Sequence, residues 1–149
     1  MDRRQFIKTG TALALMGGSL SAFAMRGAKV VVIGGGYGGA TAAKYIRLLS
    51  DHKIDVTLVE PDKEFISCPL SNLILGGSRK LADLTRPYST LTSNHGIRMV
   101  HELATGIDPV ARSISLSGGS KLSYDKLVLS PGIDLDFSSI EGLAGAQAS

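Results

Sequence analysis

Lys29-Val-Val-Val-Ile33, Gly34-Gly35-Gly36-Tyr37-Gly38-Gly39 and the stretch Ala40 to Ser50 decide the fold. The first is a β-branched run without a polar interruption, the pattern of a strand buried on both faces in a parallel sheet. The second fits G-x-G-x-x-G. The third carries Ala43, Ile46, Arg47 and Leu49 at helical spacing. Ile54 to Val59 is a second strand, and Glu60 closes it, about 20 residues beyond Gly39. Strand, glycine turn, helix, strand and terminal acid together form a βαβ dinucleotide-binding unit.

Each part has a physical task. Gly34 permits the tight turn out of the strand. Gly36 lets backbone approach a pyrophosphate, and Gly39 lets helix and strand pack closely. The helix N-terminus presents free N–H groups and partial positive charge to phosphates. A carboxylate at Glu60 accepts hydrogen bonds from ribose hydroxyls and repels a 2′-phosphate, which disfavours NADP. FAD and NAD both use such a unit, so the unit alone does not separate them.

Outward to the N-terminus, Met1 to Lys8 reads M-D-R-R-Q-F-I-K. An apolar, Gly- and Ala-rich stretch, Thr11 to Phe23, follows. It is too short to span a bilayer. Ala22-Phe23-Ala24 then supplies an A-x-A cleavage site. The adjacent Arg3 and Arg4 match the twin-arginine type of export signal. Residues 1–24 are therefore expected to be a signal read by the twin-arginine machinery, with a mature chain working in the periplasm.

The 149 residues are 44% hydrophobic and 19% charged, with net charge +3. That composition suits one globular domain. Part of the positive charge, Arg3, Arg4 and Lys8, lies in the signal. No basic stripe interleaved with aromatics remains, so nucleic acid is not an expected partner. A single cysteine, Cys68, excludes an intrachain disulfide and a Cys-built metal site.

Loops leaving the carboxyl ends of strands surround the ligand in a doubly wound domain. The loop after Glu60 contains Pro61 and Cys68, which places a thiol near the cofactor. A small buried hydrophobe is the other reading of a free cysteine. Turn-forming neighbours, and a Pro69 able to start a helix whose N-terminus would favour a thiolate, argue against it. Further along, a helix is expected over Leu84 to Ser93, weakened by Pro87, and a strand over Ile97 to Leu103. Ile107-Asp108-Pro109 opens a run of short strands. Ser113–Ser117 and Lys121–Tyr124 make a hairpin about Gly118-Gly119. His95, in a turn, and His101, on a strand, read as structural rather than acid–base residues. His52 reads as part of a solvated turn.

Residues 60 to 77, E-P-D-x-x-F-I-S-C-P-L-S-N-L-I-L-G-G, resemble the flavoprotein subunit of flavocytochrome c sulfide dehydrogenase. The likeness starts in the twin-arginine signal. It continues through Arg79-Lys80-Leu81, His95-Gly96-Ile97 and Ala104 to Pro109. It implies FAD bound covalently through an 8α-S-cysteinyl bond at Cys68, sulfide as substrate, and a c-type cytochrome subunit as partner. Tyr124 to Gly132 resembles the second FAD contact of flavoproteins with two dinucleotide domains. Here Ser130-Pro131-Gly132 stands for the usual A-T-G, and Pro131 removes one backbone donor. The candidate cofactor residues are Gly34, Gly36, Tyr37, Gly38 and Gly39 of the turn, with Glu60 and Pro61. Cys68, Ala104, Ser130, Pro131 and Gly132 complete them.

The expected fold is α/β, a Rossmann-like FAD-binding domain over residues 25–133. It has a parallel sheet and a β-hairpin or meander insertion, and is incomplete at its C-terminus. Residues 134–149 read as a linker or truncated end. No second fingerprint follows, and the redox cysteine pair that the resemblance implies would lie outside this chain. Coenzyme A disulfide reductases, NADH peroxidases and sulfide:quinone reductases are alternatives in which Cys68 is a redox thiol. A non-catalytic dinucleotide-binding module is another.

Overall fold

A computed structural model describes residues 27–133 and Glu141. The expected export signal over residues 1–24, and the linker over 134–149 apart from Glu141, lie outside the described residues. Strand β1 (Lys29–Ile33) leads through the glycine turn into helix α1 (Tyr37–Leu49) and strand β2 (Asp55–Val59). A short strand β3 (Glu64–Ile66), a 3-10 turn (Cys68–Leu70) and helices α2 (Ser71–Leu75) and α3 (Leu81–Leu84) follow. Then come β4 (Thr85–Pro87), α4 (Ser89–His95), β5 (Arg98–Val100), β6 (Ala104–Asp108), β7 (Ser113–Leu116), β8 (Lys121–Ser123) and β9 (Lys126–Leu129).

The main sheet has the order β5-β2-β1-β9, with each pair parallel. Alternation along β1 and β2 explains why both strands read as unbroken apolar runs. Val30, Val32, Val56 and Leu58 face one side and join Ala43 of α1, Tyr88 and Ile97 in the larger core. Val31 and Val59 face the other side and meet Ile114 and Leu116. Those two belong to an antiparallel sheet, β6-β7-β8, that covers this face. Helix, parallel sheet and antiparallel sheet thus form successive layers. Full burial of Leu58, Ile97 and Ile114 contributes about 1.5–3 kcal/mol each.

The βαβ unit appears as expected, with α1 starting at Tyr37 rather than Ala40. Tyr37, Gly38 and Gly39 form its first turn, because the Ala40 amide bonds the Gly36 carbonyl at 3.0 Å. The expected helix over Leu84 to Ser93 is corrected. Thr85–Pro87 is a strand paired antiparallel with Glu64–Ile66, and α4 begins only at Ser89. Pro87 disfavours helical geometry at Arg86, and α3 ends at Leu84. Helix α4 stops at Gly96, which has φ 63° and so a left-handed cap suited to glycine.

The strand expected over Ile97 to Leu103 is shorter, Arg98–Val100, and His101 lies beyond its end. Ile107-Asp108 ends a strand instead of opening one. The Asp108 carboxylate accepts the Val110 and Ala111 amides at 3.0 and 2.8 Å and turns the chain. The hairpin about Gly118-Gly119 is present. Strand β6 extends it to a three-stranded meander.

Candidate dinucleotide site

The turn after β1 is dictated by close backbone approach. Gly34 has φ 96°, and a Cβ there would lie 2.0 Å from the Ser130 carbonyl oxygen at the end of β9. A Cβ on Gly39 would lie 1.8 Å from the Gly34 carbonyl oxygen. Gly38 faces the Ser130 hydroxyl, 2.8 Å from where its Cβ would be. Gly36 differs: a Cβ there would meet nothing within 4 Å. Three glycines therefore serve packing, while Gly36 opens onto empty space.

That space is a cleft of about 1020 Å³ above the carboxyl ends of β1 and β2, at the upper end of the ~300–1,000 Å³ usual for ligand sites. Gly36, Glu60, Phe65, Tyr88, His101 and Pro131 are among its walls. Glu60 is half-buried. Its Oε2 accepts the Gly35 amide at 2.6 Å and its Oε1 the Asp62 amide at 3.1 Å. A carboxylate offers about four lone-pair positions, so both oxygens retain capacity toward the cleft. Gly36, the residue before α1, lies in the wall of the cleft, so the unpaired amides of the helix's first turn begin at its edge.

Reasoning from sequence missed Tyr88 here and read His101 only as a structural residue on a strand. Tyr88 is buried and donates its hydroxyl to the Gly35 carbonyl at 2.9 Å. Burial pushes its phenol up to about 12, with the Glu60 and Asp62 carboxylates adding to the effect. His101 Nδ1 is 3.1 Å from the Glu60 carbonyl oxygen and 2.9 Å from that of Asp62. Two carbonyl acceptors require the proton on Nδ1, so His101 ties the Glu60–Asp62 backbone to the end of β5. Both contacts span long stretches of chain, and no local pattern announces them.

A second cavity of about 370 Å³ lies between α1 and the cysteine loop, with Tyr37, Thr41, Ser67, Arg79 and Arg86 in its walls. The Tyr37 hydroxyl hydrogen-bonds the Ser67 hydroxyl, and the Tyr37 and Phe65 rings meet edge to face at 4.9 Å. The start of α1 thus holds the residue before Cys68. Cys68 itself is exposed. It opens the 3-10 turn, in which Pro69 is the middle residue, and α2 starts only at Ser71. Pro69 thus lies in the first turn of a helical segment as expected, but that segment is a 3-10 turn that begins at Cys68 itself.

Pro61 and Gly132 are exposed at the margins, and Gly132 has φ 79°. Ala104 packs in β6 against the core around Val31 and Ile114 and does not line the cleft. His95 stacks on His52 with ring centroids 6.4 Å apart, away from the cleft. Among the described residues no group of three or more His, Cys, Asp or Glu is placed to hold a metal ion.

A parallel sheet with a glycine turn and a terminal acid around one cleft defines a dinucleotide-binding α/β domain. A family model described as pyridine nucleotide-disulphide oxidoreductase matches residues 28–148, and the chain belongs to that family. The sulfide-quinone reductase of Aquifex aeolicus is 38% identical over 109 residues, 72% of this chain and 25% of that one. The flavoprotein chain of the flavocytochrome c sulfide dehydrogenase of Chlorobaculum thiosulfatiphilum is 59% identical over 46 residues, 31% of this chain and 94% of that sequence. The crystal structure of the Aquifex aeolicus sulfide:quinone oxidoreductase superposes with a TM-score of 0.66 at 36% identity, covering 74% of this chain and 25% of that one. The chain thus spans about a quarter of the length of the sulfide-quinone reductase it matches.

Proposed function

We propose that this chain is the FAD-binding portion of an exported flavoprotein that oxidises sulfide and delivers the electrons to a c-type cytochrome. The observation that carries the dinucleotide reading is the Glu60 carboxylate held by the Gly35 amide at the edge of an open cleft, and the family match favours FAD as that dinucleotide. Gly36, with free space where a Cβ would stand, suits a pyrophosphate lying on the first turn of α1. Glu60 would take the ribose hydroxyls, and Ser130, Pro131 and Gly132 would border the flavin. The exposed thiol of Cys68 suits the 8α-S-cysteinyl attachment. When bound, FAD supplies the two-electron redox centre. The chain's own residues orient it and hold it in place.

Sulfide as substrate draws support from the relatives above, which are named for it. The 59% identity with a flavocytochrome c chain favours the cytochrome acceptor. The paired Arg3 and Arg4 favour export to the periplasm through the twin-arginine machinery. A second reading, with quinone as acceptor, rests on the 38% identity with a sulfide-quinone reductase.

The deciding experiment takes the full-length protein through denaturing mass spectrometry, then assays sulfide with cytochrome c or a soluble quinone. A mass increased by one FAD, lost in Cys68→Ser, and reduction of cytochrome c are expected. Flavin released on denaturation would make Cys68 a free or redox thiol. Reduction of quinone alone would establish the second reading. Bound FAD that sulfide leaves oxidised would reduce the domain to a dinucleotide-binding module.

A further inference from the structure

We propose that Tyr88 is a positioning residue for the adenosine half of the dinucleotide, acting through the Gly35 peptide on Glu60. The inference rests on the FAD-site reading and adds to it a residue outside the βαβ unit. The Gly35 peptide is gripped from both ends. Its amide donates to Glu60 Oε2 at 2.6 Å, and its carbonyl accepts the Tyr88 hydroxyl at 2.9 Å. Gly35 is buried, so neither group has water as an alternative partner.

The same grip explains the residue type at the variable position of G-x-G. A Cβ on Gly35 would lie 2.5 Å from the Tyr88 oxygen and 2.8 Å from Glu60 Cγ. Tyr88 itself sits in the larger core, 5% exposed, and forms part of the walls of both cavities. It reaches Gly35 across 53 residues of chain. Its hydroxyl therefore transmits a fixed orientation from the core to the turn. Rotation of the Gly35 peptide would carry the amide away from Glu60 and free the carboxylate to swing. Preorganisation of this kind lowers the cost of ordering the site when ligand binds.

The test uses full-length protein made in flavin-limited cells and titrated with ADP, which probes the adenosine half alone. Tyr88→Phe keeps the ring and removes the hydroxyl. Its ADP affinity is expected to fall about tenfold. In a Glu60→Ala background the same substitution should cost less than about threefold, because the relay has lost its far end. Unchanged ADP affinity with only a lower melting temperature would overturn the proposal and leave Tyr88 as core packing. An equal loss in both backgrounds would overturn the route through Glu60. Amide exchange provides a check that needs no Tyr88 variant. The Gly35 amide should exchange at least about tenfold more slowly than that of Gly36, and Glu60→Ala should abolish the difference. Equal rates in the wild type would exclude the relay. Failure of the wild type to bind ADP would instead sink the FAD-site reading on which the proposal stands.

Discussion

The amide of Gly35 and the carboxylate of Glu60 meet at 2.6 Å, joining the ends of two parallel strands through one side chain. The Asp62 amide holds the other carboxylate oxygen. The carboxylate is thereby fixed before any ribose arrives. Glu60→Ala removes these acceptors and the negative charge together. Hydrogen bonds to a charged group contribute about 1.5–3 kcal/mol each, so ADP affinity should fall between about tenfold and a hundredfold. Glu60→Ala should also erase any preference for ADP over its 2′-phosphorylated analogue, since repulsion of that phosphate requires the charge. Parallel titrations of the two nucleotides measure both effects. A variant with full affinity would remove Glu60 from the site.

Gly39 and Gly36 are separated by three positions and by opposite consequences of substitution. A methyl on Gly39 would be driven to 1.8 Å from the Gly34 carbonyl oxygen, and neither backbone segment can yield without moving α1 off the sheet. Gly39→Ala is expected to destabilise the fold by about 3 kcal/mol, the upper part of the overpacking range. A methyl on Gly36 meets open space, so Gly36→Ala should keep the urea midpoint of the flavin-free wild type but lose affinity for ADP. Equal destabilisation by both variants would contradict this division of roles.

The parts of the fold legible in the sequence are those written locally. The unbroken apolar run of β1, the glycine turn, the spacing in α1 and the acid closing β2 all lie within one stretch, and each demands its neighbour. Strands β3 and β4 were not legible, because three-residue strands take their character from the partner. Glu64–Ile66 and Thr85–Pro87 pair across a distance no periodicity encodes. The single helix expected over Leu84 to Ser93 is divided by Pro87 together with that pairing. At the site, Gly34, Gly36, Gly39 and Glu60 carry a motif with its own mechanics. Tyr88 and His101 carry none, since their roles arise only when α4 and β5 are brought beside the turn. Ala104 came from resemblance alone, and it packs in the core instead of lining the cleft.

Arg47 does for the far end of the domain what Tyr88 does for the near end. Its Nε donates to the His95 carbonyl at 2.8 Å, and one terminal nitrogen donates to the carbonyls of His52 and Ile54 at 2.8 and 2.6 Å. One guanidinium thus ties α1 to the end of α4 and to the turn entering β2. Arg47→Met preserves the apolar stem and orphans three carbonyls. A loss of about 3 kcal/mol is expected in urea unfolding. Arg47→Lys should recover less than half of it, since an ammonium lacks the planar fork that reaches separated acceptors. Full recovery by lysine would show that charge alone matters.

Alkaline pH isolates the Tyr88 hydroxyl. Its pKa rises from 10.0 to about 12 in the folded protein, chiefly through burial and then through the carboxylates of Glu60 and Asp62. The folded state therefore holds this proton more tightly than the unfolded chain does. The resulting stabilisation is fully present below pH 10. It declines as the unfolded phenol ionises, and it is gone once pH passes the folded value near 12. Lysines and the other tyrosines titrate in the same range, so wild type alone is uninformative. The difference in melting temperature between wild type and Tyr88→Phe removes their contribution. That difference should be constant from pH 8 to about pH 10 and shrink above it. A difference that stays level up to about pH 12 would mean that Tyr88 ionises alike in the folded and unfolded chains. One that widens would mean that the folded state favours the phenolate, which is incompatible with a buried hydroxyl donating to Gly35.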